Sequence, residues 1–124
     1  MDKENTMLAV QNLGSSFKIL CEQVQQLYEA YGIYVLGYET WPTWGGPAIF
    51  MSHQGWLKLQ REILNNVDYV TEPHSDKDRD PKTPITNRTY KLTLHHDGIA
   101  YYCLMSTPEL VEEGLVSAEV LKDA

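Results

Sequence analysis

The sequence predicts one α+β domain over residues 1–124, in which an antiparallel sheet packs against a long N-terminal helix and a second helix near residues 53–65. The prediction rests on an apolar stripe of helical period near the N terminus and on a hairpin with a recognisable turn near the C terminus. The length of 124 residues, with 43% hydrophobic and 22% charged residues, is that of one ordinary globular domain. Short helices are expected at the C terminus.

The first third of the chain carries apolar residues at alternating steps of three and four, with polar residues between them, as an amphipathic helix requires. The helix is expected to begin near Thr6 or near Ser16 and to end at Gly32 as its C′ residue. Such a stripe is more typical of a helix lying on its own sheet, and the alternative is a coiled-coil seam that joins subunits into a homo-oligomer. The stripe consists of Val10, Leu13, Phe17, Leu20, Val24, Leu27 and Tyr31.

Two short β-branched and aromatic segments follow, residues 33–38 and 48–51, and both are expected to be strands. Between them lie Trp41 and Trp44, in a segment braced by two prolines and two glycines that can continue neither helix nor strand. Because such a loop has few ways to bury two indoles, we expect both rings to face outward and to serve in binding. Local packing of the rings is the alternative.

A second amphipathic helix is expected from about residue 53 to 65, capped by Ser52. Residues 67–71 are expected to form a strand. Residues 72–84 carry three prolines and a run of alternating charges, which predicts a solvated, mobile loop.

The clearest supersecondary signal is a hairpin within residues 86–106, because Asp97-Gly98 suits the two-residue type I′ turn. Pairing His96 with Ile99 makes one face of the hairpin continuously apolar. That face holds Tyr90, Leu92, Leu94, Tyr101, Cys103 and Met105. The opposite face carries a mainly polar strip that could meet solvent or a ligand, made of Lys91, Thr93, His95, Ala100, Tyr102 and Leu104.

Short helices are predicted after the hairpin. Thr107 can cap the first, with Pro108 at its first position, and Gly114 interrupts it. Ser117 can cap a further turn over residues 118–122. The first of these helices carries the acidic residues Glu109, Glu112 and Glu113, which we take as candidate contacts for a basic partner.

Composition and charge exclude several classes of protein. The net charge is −7, and Asp and Glu outnumber Lys and Arg by 11 to 6 in residues 63–124, so the basic cluster that nucleic-acid binding needs is missing. No apolar stretch reaches the roughly 18 residues of a membrane span, and the first residues lack the pattern of a signal peptide. A cytoplasmic location is therefore expected. Cys21 and Cys103 are expected to be free, buried thiols.

The sequence offers little catalytic chemistry. His95 and His96 are adjacent on a strand and point to opposite faces, so they should not converge on one metal ion. No phosphate-binding glycine motif and no exposed nucleophile stands out, and no metal or cofactor is predicted. A proton-transfer site could be assembled only from His95, Tyr102, Lys91 and a carboxylate such as Glu39.

Three hypotheses for function follow. The first is a small, acidic, non-enzymatic interaction protein, of the inhibitor or immunity type found among phage and mobile-element products, that binds and blocks a protein partner. Its candidate binding residues are Trp41, Trp44, Lys91, His95, Tyr102, Glu109, Glu112 and Glu113. The second is an oligomeric binder of a nucleotide-like small molecule, held between aromatic rings with Arg61, Arg88 or Lys91 meeting its charge. The third is a small enzyme that uses His95 and Tyr102.

Overall fold

The computed structural model describes residues 2–40 and 47–119, and these have the predicted α+β architecture. The chain separates into two compact units, residues 1–34 and residues 35–124, and each is described by itself below. Trp41 and Trp44 lie outside the described residues, as do residues 120–122 of the last predicted turn. The prediction of a single domain stays a prediction.

The N-terminal unit is dominated by one helix, α1, Lys3–Tyr31. It begins close to the earlier of the two predicted starts, because the Asp2 side chain accepts a hydrogen bond from the Asn5 amide and caps the first turn. It ends at Gly32 as predicted, with φ of 67°, a left-handed conformation that suits glycine. All 29 residues of α1 are described, and none of them is buried.

The C-terminal unit is built on a five-stranded sheet, with strands β1 Val35–Glu39, β2 Ala48–Met51, β3 Val70–Pro73, β4 Thr89–His96 and β5 Ile99–Ser106. Their order across the sheet is β1-β2-β5-β4-β3. Neighbouring strands are antiparallel except β2 and β5, which are parallel. The predicted third strand lies slightly later in the chain than the apolar pattern indicated.

The hairpin of β4 and β5 has the predicted register, including the pairs His96 with Ile99 and Leu92 with Cys103. Its turn residues Asp97 and Gly98 have φ of 51° and 79°, as a type I′ turn needs. Strand alternation then places the predicted apolar residues on one face of the sheet. The most deeply buried of them, each at most 1% exposed, are Leu92, Leu94, Cys103 and Met105.

Two short helices contact the sheet through β5: α2, His53–Lys58, and α4, Thr107–Glu112. From α2, Trp56 is fully buried, its indole Nε1 donates to the Tyr101 carbonyl oxygen at 2.8 Å, and its ring meets Tyr69 edge to face. Leu110 of α4 is also buried. The core of this unit therefore lies between the sheet's apolar face and these helices.

Several details differ from the sequence predictions. The second helix changes to one π-helical turn over Leu59–Ile63, where the buried Gln60 side chain donates to the Val67 carbonyl oxygen at 2.7 Å. The cap of α4 is Ser106, one residue before the predicted Thr107. Cys103 is buried as predicted, but the prediction for Cys21 was wrong: it is exposed, because α1 has no buried face.

The charged segment 72–84 is more ordered than predicted, since it contains a short helix, α3, Asp76–Arg79. Its Asp78 side chain is buried and links this short helix to the start of β4. It accepts hydrogen bonds from the Ser75 hydroxyl at 2.6 Å and from the Thr89 amide at 2.9 Å. None of the helices within the described residues is long and apolar enough to cross a membrane.

Candidate functional site

The polar face of the sheet contains a cavity of about 630 Å³, which lies in the size range of small-molecule sites. Two small side chains, Ala48 and Ala100, form its floor, where the parallel β2 and β5 strands begin to pair. Larger polar side chains surround this floor. We call this cavity the sheet-face site and define it by Glu39, Lys91, Thr93, His95 and Tyr102 around the two alanines.

Tyr102 is the most constrained side chain of the sheet-face site. Its hydroxyl donates to Glu39 Oε1 at 2.9 Å, its ring stacks on Phe50 with centroids 5.0 Å apart, and Lys91 Nζ lies 4.4 Å from its ring centre. The last contact is a cation–π interaction. Burial, followed by the hydrogen bond and the negative charge of Glu39, raises the pKa of Tyr102 to about 12.

This pKa defines what Tyr102 can do. A phenol with a pKa of about 12 stays protonated at neutral pH, so it can donate a hydrogen bond but is a poor general base. The arrangement therefore suits polar binding better than proton abstraction.

The four residues named from the sequence as a proton-transfer set do meet in this cavity: Glu39, Lys91, His95 and Tyr102 all line it. The rim gains further groups, His74 and Arg79, that sequence reasoning did not assign to this face. His74 reaches the cavity because it follows β3, which pairs with β4, and Arg79 reaches it because it lies in α3.

The acidic candidates lie elsewhere in the C-terminal unit, where Glu109 and Glu113 make local contacts. Glu109 completes a capping box with Ser106 and lies 3.1 Å from His53 Nδ1. Burial works to raise the pKa of Glu109, but the Ser106 hydrogen bonds and the neighbouring His53 outweigh it, so the pKa is lowered. Glu113 pairs with Arg61, whose guanidinium also donates to the Glu113 carbonyl oxygen at 2.8 Å. Glu112 is exposed.

His95 and His96 lie on opposite faces of β4, as strand alternation predicted. His95 lines the cavity, whereas His96 Nε2 lies 3.3 Å from Asp97 Oδ2. Within residues 2–40 and 47–119, no three His, Cys, Asp or Glu side chains are arranged to hold a metal ion.

A second candidate surface is the apolar stripe on α1, which we call the α1 stripe. Val10, Leu13 and Tyr31 are 54%, 70% and 53% exposed, and Phe17 is 48% exposed. The remaining members, Leu20, Val24 and Leu27, are half-buried. Scattered exposed apolar residues are normal on protein surfaces, whereas these residues form one row along the helix.

Comparison of the chain with protein-family models, with curated proteins and with solved structures finds no match in any of the three.

Proposed function

We propose that this protein is a non-enzymatic interaction protein that binds a protein partner through the α1 stripe. The observation that carries the proposal is that a helix of 29 residues presents a continuous apolar row while none of its residues is buried. Isolated helices in water are marginal, and most helices in proteins are stabilised by packing of their apolar face. The exposed part of the α1 stripe, which includes Val10 and Leu13, is therefore available for a partner to cover.

The position of the charges on α1 also supports binding along the stripe. Between Val10 and Tyr31 the charged residues are Lys18, Glu22 and Glu29, and none of them belongs to the stripe. A partner helix or groove can thus cover the row without desolvating a charge, which would be costly. An inhibitor of the immunity type would use such a surface to occupy its target.

The test compares two glutamate substitutions of exposed aliphatic residues on the same helix. Leu13, in the stripe, is 70% exposed, and Ile19, outside the stripe, is 57% exposed, so the two differ mainly in position. Tagged wild-type, Leu13→Glu and Ile19→Glu proteins would be used to capture partners from the source cells, with quantitative mass spectrometry of the captured proteins. We expect proteins held by wild type and Ile19→Glu to be lost with Leu13→Glu, by at least about tenfold.

Equal capture by both variants would contradict the proposal, because it would show that the stripe takes no part in binding. Circular dichroism of Ile19→Glu serves as the control, since glutamate is a good helix former and this variant should keep the helix content of wild type.

Binding of a small polar ligand is a second candidate function, favoured by the sheet-face site and its constrained Tyr102. Native mass spectrometry of protein from the source cells tests it. A retained small molecule should be lost in Tyr102→Phe but kept in Tyr101→Phe, because Tyr101 lies next to Tyr102 in β5 and points to the other face. Equal retention by both variants would contradict a role for Tyr102.

A further inference from the structure

The α1 stripe repeats every seven residues, which is the spacing of a two-stranded coiled coil. In heptad notation the a positions are Val10, Phe17, Val24 and Tyr31, and the d positions are Leu13, Leu20 and Leu27. Leucine occupies all three d positions and valine two of the four a positions. Valine at a with leucine at d favours two parallel strands. Residues 10–31 would span about 33 Å in such a coil.

The flanking e and g positions decide whether two identical helices can approach each other. Between Val10 and Tyr31 the e positions are Gly14, Cys21 and Tyr28, and the g positions are Ser16, Gln23 and Ala30. None of these is charged, and the charges of Lys18, Glu22 and Glu29 lie at the outer b and f positions. Two copies can therefore meet along the stripe without like-charge contacts, although each chain carries a net charge of −7.

The spacing and the neutral flanks of the stripe match those of an identical helix. A second copy of the chain therefore supplies a partner helix with the same length, heptad pattern and uncharged flanks.

We infer that the partner of the α1 stripe is a second copy of this chain, and that the two copies form a parallel, two-stranded coiled coil over residues 10–31. The inference rests on the proposed function, in which the stripe is a binding surface, and names the protein that binds there. Each copy then contributes seven apolar side chains to a shared seam.

Sedimentation equilibrium of the purified full chain tests the pairing. At about 100 µM, a concentration that populates even moderately stable dimers, wild type and Ile19→Glu should have twice the monomer mass of 14.2 kDa. Leu13→Glu should be monomeric, with a dissociation constant raised by at least about 100-fold, because each dimer would bury two glutamates in its seam. A monomeric wild type, or a dimer unaffected by Leu13→Glu, would overturn the inference.

Cross-linking tests the orientation. In a Cys21→Ser background, Leu13→Cys should form a disulfide between copies on mild oxidation, because equivalent d positions lie side by side in a parallel pair and cysteine Cα atoms within about 7 Å can be bridged. In an antiparallel pair, position 13 of one copy lies beside the opposite end of the other helix, so a dimer that fails to cross-link would overturn the parallel arrangement.

The outcomes also separate this inference from the proposed function. A monomeric protein that still captures a different protein through Leu13 would refute self-association and leave the stripe as a binding surface. A monomer that captures nothing through Leu13 would refute both. Three or four copies per assembly would refute the two-stranded arrangement alone.

Discussion

Asp78 shows at the scale of single residues how a buried charge organises a segment that its sequence marks as solvated. Its carboxylate accepts hydrogen bonds from the amide and hydroxyl of Ser75 and from the amide of Thr89. The Ser75 hydroxyl, and after it the Thr89 amide, lowers the pKa of Asp78 despite the opposing effect of burial. The folded state therefore favours the ionised carboxylate.

This lowered pKa has a consequence for acid stability. Because the folded pKa lies below the unfolded value of about 3.9, the stabilisation is fully present above that value and is lost as the pH falls through the folded pKa. We expect Asp78→Asn to be less stable than wild type at pH 7 and to lose less stability on acidification. Urea unfolding at a series of pH values measures this.

Asp76→Asn is the matched control, because Asp76 lies in the same short helix but is fully exposed. Its Oδ1 atom forms a surface ion pair with Arg79 Nη1 at 3.5 Å. The substitution should change the free energy of unfolding little at any pH. If Asp78→Asn and wild type lost stability in parallel on acidification, Asp78 would not be the group that titrates.

At the scale of elements, α1 and its end contain two glycines whose replacement by alanine should have opposite effects. Gly14 lies inside the helix, where an added Cβ would meet no atom within 4 Å, and Gly32 ends the helix with φ of 67°. We expect Gly14→Ala to stabilise the helix by about 0.5–1 kcal/mol. Gly32→Ala should destabilise it by about 1 kcal/mol, because an alanine side chain is strained in the left-handed region.

Thermal unfolding followed by circular dichroism at 222 nm, at one fixed protein concentration, compares the two variants. A stabilising Gly32→Ala would contradict the assigned end of α1, and a destabilising Gly14→Ala would contradict a helix that continues through residue 14. The fixed concentration matters because association of the chains would itself change the unfolding temperature.

The elements that could be predicted from the sequence are those with local determinants. The register of β4 and β5 follows from Asp97-Gly98 together with the alternation of apolar residues. The end of α1 follows from Gly32. By contrast, α3 depends on the buried Asp78 and its contact with Thr89, eleven residues away, and no local periodicity indicates such a contact.

The same distinction applies to the sheet-face site. Alternation along β4 and β5 predicted that Lys91, His95 and Tyr102 share a face. The approach of Glu39 to Tyr102 depends on the order β1-β2-β5, and the parallel pairing of β2 with β5 across about 50 residues leaves no local signal. The predicted binding role of Trp41 and Trp44 stays a prediction, since both lie outside the described residues.

At the scale of the whole molecule, the two units differ in how their apolar residues are placed. The C-terminal unit buries Trp56, Leu92 and Met105 completely, whereas α1 leaves Val10, Leu13 and Phe17 about half exposed or more. A 29-residue helix with no buried residue is expected to gain its stability from a partner. The stability of α1 should then rise with the concentration of its partner, which we infer to be a second copy of the chain.

Hydrogen–deuterium exchange of the α1 amides as a function of protein concentration tests this dependence most directly. Between about 1 and 100 µM, exchange over residues 10–31 should slow markedly in wild type and in Ile19→Glu, while remaining fast in Leu13→Glu. Exchange in the sheet should not change with concentration. An α1 whose exchange is the same at every concentration would show that no second copy covers the stripe, and would contradict the account.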